Sequence, residues 1–445
     1  MKILNLLFIL SMSLFSFSAF ADIDKDPVIN DSSDVEKLDQ SFKNKYVLAE
    51  SYFESSKYQE AINLLKDLDS LTPANANINY KLGMCFYNAS TDKQTAILCF
   101  EKAIQNIAVD YKSSYSETNA PPIALYYLAR SYHNEYIFDA SIKSFEKYKT
   151  YLSKSEGKTS LEIDRYITMC NNGVKLMKSD VNPQVQILSA EINTKEADYS
   201  LMASNDNSVL VYSTTSNTGA KQGEISSYYY TVLDGQKWSA PTKIDNDFNL
   251  IPSTVASKLS LRKKEIFITK NTNGNKELYS LTYKDNKWSN PVKVGPNINS
   301  KSSVSNACVS PDGSTLYFSS NKEGGYGGFD IYVCERLSDG SWSKAANLGP
   351  NVNTSYDDVS PFIATDGVTL YFSSMGHNTM GGYDVFFTTL SDEGLWSLAE
   401  NIGYPINTPQ DDMFYIPSSD EKTAFYSSTK DGGLGENDIY IITYK

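Results

Sequence analysis

The chain is 445 residues long, with 40 Lys and Arg set against 53 Asp and Glu, so it carries a formal net charge of −13 at neutral pH. That acidity disfavours phosphate backbones and anionic lipid surfaces as partners, and nucleic acid is excluded on this ground. The only two histidines, His133 and His377, lie far apart in the chain and supply little for a multi-histidine zinc site or a Ser/His/Asp triad.

Residues 1–21, MKILNLLFILSMSLFSFSAFA, place Lys2 before an apolar run that ends in Ala19-Phe20-Ala21, the layout of a cleavable secretory signal. No cysteine stands at the cleavage point, so no lipid anchor is expected. Beyond residue 21 no apolar stretch approaches the roughly 20 residues of a membrane helix. The expected product is exported to the periplasm, with the cell surface or the medium as alternatives, and without membrane insertion. Residues 22–33 read as a disordered tail. Asp22, Asp24 and Asp26 imitate the start of an EF-hand loop, but Pro27 and the lack of the closing Glu speak against calcium.

Residues 34–178 lack period-two alternation and carry apolar residues at helical spacing, with breaks at Thr72-Pro73, Ala120-Pro121-Pro122 and Ser155-Glu156-Gly157. Three hairpins follow. The first contains Leu48, Ala49, Tyr52, Ala61, Leu65, Leu68 and Pro73. The second has Leu82, Gly83, Phe86, Ala96, Phe100 and Ala103, and the third Leu128, Ala129, Tyr132, Ser141, Phe145 and Tyr148. These hairpins resemble tetratricopeptide repeats, in which small residues let two helices touch. Residues 160–177 form a solitary amphipathic helix that would cap the stack. By repeat position the concave groove would present Tyr46, Glu50 and Phe53, then Tyr80, Met84 and Tyr87, then Tyr126, Arg130 and His133. Tyr46, Phe53, Tyr80, Tyr87, Tyr126, Arg130 and His133 are the candidate partner-binding residues, since aromatic and arginine side chains dominate peptide-binding surfaces. Packing between hairpins is the competing use of the same tyrosines. Cys85 and Cys99 face each other within one hairpin and are the pair placed to form a bridge, with buried free thiols as the alternative.

A linker at residues 179–184 leads into residues 185–445, where period two takes over. SPDGSTLYFSS (310–320) recurs as ATDGVTLYFSS (364–374) and SSDEKTAFYSS (418–428), each 54 residues after the last. GGYGGFDIYV (324–333), TMGGYDVFF (379–387) and GLGENDIYI (433–441) recur in step, so Asp330, Asp384 and Asp438 are equivalent. Fainter copies lie at 261–281 and 204–232, and the four tryptophans, Trp238, Trp288, Trp342 and Trp396, follow the same period. Four strands in about 50 residues make a propeller blade. Five blades are expected, with the orphan strand VQILSA (185–190) completing the last one and sealing the ring. The fold class is therefore multidomain, an α-solenoid of about three hairpins plus a capping helix followed by a five-bladed β-propeller.

Residues 185–445 resemble the WD40-like propellers of the Ser-Pro-Asp-Gly type found in TolB-like proteins. The order of leader, helical repeats and propeller is similar to Bacteroidetes-type envelope proteins. That resemblance implies a place in type IX secretion or gliding. The chain shows neither a lipid-accepting cysteine nor an OmpA-type domain after the propeller, so direct anchoring to membrane and cell wall is not carried over.

The motifs themselves read as architecture. Pro311 presets a turn, Asp312 caps amides and Gly313 supplies a positive φ, while Asp330, Asp384 and Asp438 are expected to pin glycine-rich hairpins. No metal and no cofactor are expected. Region 185–445 holds only Arg262 and Arg336, too few for a sialidase arginine triad, and no G-x-S-x-G elbow occurs. Asp357-Asp358 and Asp411-Asp412 could serve glycoside chemistry, but their recurrence points to blade construction. The expected function is a non-catalytic periplasmic scaffold that binds protein partners in the cell envelope. The alternative is a glycan-binding or glycan-processing propeller.

Overall fold

The computed structural model describes residues 32–89, 92–178, 183–204, 206–217, 224–244, 247–248, 265–272, 274–285 and 287–444. The predicted leader and residues 22–31 of the predicted tail lie outside the described residues, whereas residues 32 and 33 already belong to the first helix. Among the described residues no helix is long and apolar enough to cross a membrane.

Among the described residues seven α-helices come first: α1 (Ser32–Glu54), α2 (Tyr58–Leu71), α3 (Ala76–Ala89), α4 (Lys93–Ala103), α5 (Ala124–Asn134), α6 (Phe138–Lys149) and α7 (Gly157–Leu176). Each packs on the next, so they form three hairpins with α7 laid against α6. The small residues read from the sequence mark the tight crossings. A Cβ on Gly83 would stand 2.7 Å from the Phe100 ring, so only glycine admits α4 at that distance. Cys85 and Cys99 are buried free thiols, and the possible bridge is not formed.

Five antiparallel sheets follow. The third blade shows the plan: Val304–Val309 inside, then Thr315–Ser320 and Asp330–Glu335, with Ala346–Asn347 at the rim. The fourth (Asp358–Ile363, Thr369–Ser374, Asp384–Thr389, Glu400–Asn401) repeats it. In the second blade the described strands begin at Glu265, and the part of the faint copy before that residue lies outside the described residues. The fifth blade takes its outer strand from the other end of the domain. Gln184–Ile187 pairs antiparallel with Asp438–Thr443, in the register Gln184 to Thr443 and Ile187 to Tyr440. Period two is visible in the packing, because both faces of a blade are covered by neighbours. Leu316 and Phe318 enter a cluster with Val304 and Trp342, while Tyr317 turns to Ile363 and Leu370 of the fourth blade.

Each tryptophan reaches an aromatic ring outside its own blade's main strands. Trp238 meets Phe425 at 5.6 Å between centroids, Trp288 meets Phe248 at 6.2 Å, Trp342 meets Phe267 at 6.4 Å and Trp396 meets Tyr317 at 5.9 Å. Trp288 and Trp342 are buried, and Trp238 and Trp396 are half-buried.

The helical repeats are docked on one face of the ring, on the loops of the fourth and fifth blades. His133 Nε2 donates to the Met380 carbonyl at 2.8 Å, Arg165 to Met375 O at 2.7 Å and Asn172 to Thr379 O at 2.9 Å. Arg165 also stacks on Tyr356 at 3.9 Å, and the Met380 side chain is buried with Phe138 and Cys170.

Two outcomes test this architecture. Deleting residues 183–191 leaves two strand edges unpaired and is expected to abolish the single cooperative melting transition of the propeller, read by calorimetry. Trp342→Ala is expected to destabilise it by roughly 3–5 kcal/mol in denaturant titration, the range for truncating a buried large aromatic.

Candidate functional site

Between blades the chain repeats one joint. Asn353 sits in the loop that enters the fourth blade and clasps the third strand of the preceding one: its Oδ1 accepts from Ile331 N at 2.7 Å and its Nδ2 donates to Ile331 O at 2.9 Å. Asn407 does the same to Val385, Asn193 to Ile439 and Asn299 to Leu278. Three of these loops continue into a buried carboxylate. Asp358 accepts from Thr354 N at 2.6 Å, Asp412 from Thr408 N at 2.7 Å and Asp198 from Thr194 N at 2.6 Å. The loop also needs glycine opposite it, because a Cβ at Gly327 would lie 2.2 Å from Tyr356 O.

The hairpin aspartates behave as expected from the sequence. Asp330 accepts from Tyr326 N and Gly327 N, Asp384 from Met380 N and Asp438 from Leu434 N. Consequently each joint brings two carboxylates near one another, Asp330 with Asp358, Asp384 with Asp412 and Asp438 with Asp198. Burial raises Asp358 and Asp384 to about 7, with the neighbouring carboxylate adding to the effect at Asp358. Burial likewise raises Asp412 and lowers the adjacent Lys430. All three aspartates are sealed from solvent, so these are structural acids. Among the described residues no group of three or more His, Cys, Asp or Glu could hold a metal ion.

The axis of the ring is different. Ser200, Asn306, Ser360 and Phe414 occupy one equivalent position at the bulge of four innermost strands. Ser200, Ser360 and Phe414 hold positive φ angles of 56°, 55° and 59°. A left-handed conformation is uncommon for serine and an outlier for phenylalanine, and it persists only where the surroundings enforce it. These four residues, together with Glu265 and Thr269, line a cavity of about 140 Å³. Asn306 Oδ1 accepts from Ser305 Oγ at 2.7 Å and from Ser360 Oγ at 3.5 Å. The wall sets these hydroxyls and the amide in a mostly apolar lining that includes Leu201, Met202, Ile266, Phe267 and Phe362. Glu265 is held by an ion pair with Arg336. Sequence reasoning missed this ring. Asn306, Ser360 and Phe414 are each 54 residues apart, but their unlike chemistry hides the equivalence.

The residues expected in the helical groove are placed as follows. Tyr46 is buried and accepts from Asn77 Nδ2 at 3.1 Å. Phe53 meets Tyr58 edge-on, and Tyr80 meets Tyr111. Tyr87 contacts Phe100 and Tyr127, and Tyr126 and Arg130 gather around Tyr166. His133 is buried against the propeller, and burial lowers its pKa to about 4. The structure thus brings Tyr87, Tyr126 and Arg130 together and leaves Tyr46, Phe53 and Tyr80 apart from them.

No protein-family model and no curated protein matches the sequence. Solved structures do match. An α-L-arabinofuranosidase from Lactobacillus brevis is 10% identical with a TM-score of 0.35, over 58% of this chain and 92% of that one. The β-xylosidase RS223 is 12% identical with a TM-score of 0.34, over 59% and 95%. A xylan β-1,4-xylosidase from Bacillus halodurans C-125 is 10% identical with a TM-score of 0.34, over 57% and 54%. By name these are glycan-cleaving enzymes. Beside these neighbours the expectation of a non-catalytic scaffold without enzymatic activity is set aside as contradicted, and the likeness itself assigns no activity to this chain. That expectation came from an inventory of motifs, which cannot register what five blades assemble around one axis. At such identity no residue role passes from those enzymes to this chain.

The joint carboxylates carry a pH dependence. Because Asp358 and Asp384 have folded pKa values of about 7, above the ordinary value of 3.8, their contribution to stability is complete below pH 3.8 and is lost as pH rises through 7. The melting temperature is expected to fall between about pH 4 and pH 7, and Asp384→Asn to flatten that slope in scanning fluorimetry.

Proposed function

We propose that this chain is a glycan-binding or glycan-processing propeller protein whose axial cavity takes a sugar residue. The observation that carries the reading is the ring of Ser200, Asn306, Ser360 and Phe414, three of them in enforced left-handed conformations, around a space of about 140 Å³. A cavity of about 150 Å³ accepts one six-membered carbon ring. Hydroxyl and amide groups beside an aromatic face suit a neutral sugar, whose hydroxyls need partners and whose C–H face stacks on a ring. Hydrolysis would require two carboxylates flanking the scissile bond. Glu265 is the carboxylate that reaches the cavity wall among the described residues. Export to the periplasm is part of the proposal and is supported by the leader read in residues 1–21. The hairpins of α1 to α6 are proposed as tetratricopeptide repeats on the spacing of Ala49, Ala61, Gly83, Ala96, Ala129 and Ser141.

The sugars named in the similar structures, arabinose and xylose, set the first probes. Titration of arabino- and xylo-oligosaccharides is expected to show saturable binding that weakens about tenfold or more in Asn306→Ala, the loss of one or two hydrogen bonds. Release of reducing ends, compared with Glu265→Gln, separates processing from binding. Failure of the whole neutral panel to bind the folded wild-type chain would overturn the proposal.

A further inference from the structure

Residues 104–123 join α4 to α5, whereas residues 72–75 suffice between α2 and α3. A connection longer than about 12–15 residues in a compact domain is ordinarily functional. Its neck is closed, since Ala120 N donates to Asn106 O at 2.8 Å and Ala108 N to Ala120 O at 3.0 Å. Beyond that neck the chain folds on itself as an Ω-loop, with the Glu117 carboxylate accepting from the backbone N–H groups of Lys112, Thr118 and Asn119.

This strap reaches groove positions of the first two hairpins. Tyr111 Oη donates to Asn77 Oδ1 at 2.7 Å, and Asn77 Nδ2 donates to Ser114 O at 3.0 Å. Ser113 Oγ donates to Glu50 Oε1 at 2.7 Å and accepts from Lys81 Nζ at 2.8 Å. The Tyr111 ring stands edge-on to Tyr80 at 6.2 Å between centroids. Asn77, Tyr80 and Met84, at i, i+3 and i+7, share one face of α3, so the strap lies where a groove ligand would lie.

The contacts are those of a cover that can leave. Asn77 is fully buried, and apart from its bond to Tyr46 Oη its amide is satisfied by the strap. A permanent lid gains most from apolar side chains, because desolvating an amide and an ion pair offsets much of what their bonds return. A floor of Asn77, Glu50, Lys81 and the Tyr46 hydroxyl instead suits a surface that is wet in one state and occupied in another. The strap also stays largely outside: Val109 is 77% exposed, and Asp110, Lys112, Ser113, Ser116 and Thr118 are exposed.

We propose that residues 108–119 are a displaceable internal ligand that closes the helical groove and, on leaving, uncovers a site for an extended protein segment carrying tyrosine and, two residues on, serine. The incoming tyrosine takes the place of Tyr111 against Tyr80 and Asn77, and the serine hydroxyl enters between Glu50 and Lys81. This site is separate from the axial cavity.

A synthetic peptide of residues 108–119, blocked at both ends, is the probe. It is titrated into the full chain and into a strapless chain in which a short glycine linker replaces residues 109–118, with circular dichroism as the folding control. The strapless chain is expected to bind saturably and wild type at least tenfold more weakly, because the tethered strap competes from an effective concentration on the order of millimolar. The peptide with Tyr111→Phe is expected to bind about fivefold or more weakly, the loss of one hydrogen bond. A peptide of unrelated sequence that keeps only the tyrosine and the serine is expected to bind the strapless chain saturably, and its failure overturns these two side chains as the recognised group. Absence of binding by the folded strapless chain, or equal binding by the two chains, overturns the inference. Should the strapless chain not fold, Tyr111→Ala in the full chain must still bind the peptide more tightly than wild type. Removing the strap is expected to leave xylotriose binding unchanged, so failure here and failure of the axial reading are distinguishable.

Discussion

The propeller depends on one repeated contact, the asparagine that clasps the backbone of the preceding blade. Where the third strand of a blade runs beyond its short outer partner, a backbone N–H is left that hydrophobic packing between blades cannot satisfy. Asn193, Asn299, Asn353 and Asn407 each take up the N–H of one such residue and share its carbonyl with a backbone N–H, as Asn353 Nδ2 and Leu348 N both donate to Ile331 O. The clasp also fixes angular spacing, because the loop that carries it runs directly into the next innermost strand. Asp358 N bonds Phe329 O at 2.7 Å, and Asp412 N bonds Tyr383 O at 2.6 Å. Four such joints lie among the described residues, and the strand Gln184–Ile187 closes the ring.

The same joints hold buried acids at an electrostatic disadvantage. Desolvation raises Asp358 and Asp384 to about 7, so at neutral pH they lie near half-ionisation in a setting that favours the protonated form. Their hydrogen bonds organise the loop, and Asp358 bonded to Thr354 N illustrates the gain. The axial cavity is built without these acids. The axial residues carry backbone strain in place of buried charge, and they open onto a cavity that the joint carboxylates do not reach.

Docking the helices on the propeller changes what their groove can offer. His133 belongs to the interface, and Tyr46 is part of the hairpin core. Arg130 is held within its own cluster, since its Nη1 donates to the hydroxyls of Tyr126 and Tyr166 and the Tyr126 hydroxyl donates on to Glu162.

Much of the fold was legible in the sequence because each signal is local and repeated. TLYFSS and its copies declare strands by alternation, Ser-Pro-Asp-Gly declares a turn, and Gly83 opposite Phe100 declares a close helix crossing. Counting strands assigned VQILSA to the last blade, since a propeller leaves no edge unpaired. The candidate sites were less legible. Ser200, Asn306, Ser360 and Phe414 become neighbours only when four blades converge, and no pairwise spacing announces that a serine and a phenylalanine share one position. Arg130 could be placed in the groove by its repeat position, but its partners depend on where Tyr166 of α7 finishes. Periodicity determines which residues form blades and hairpins. Tertiary closure decides which side chains meet at the axis and which meet around Arg130, because those distances join parts of the chain that no repeat relates.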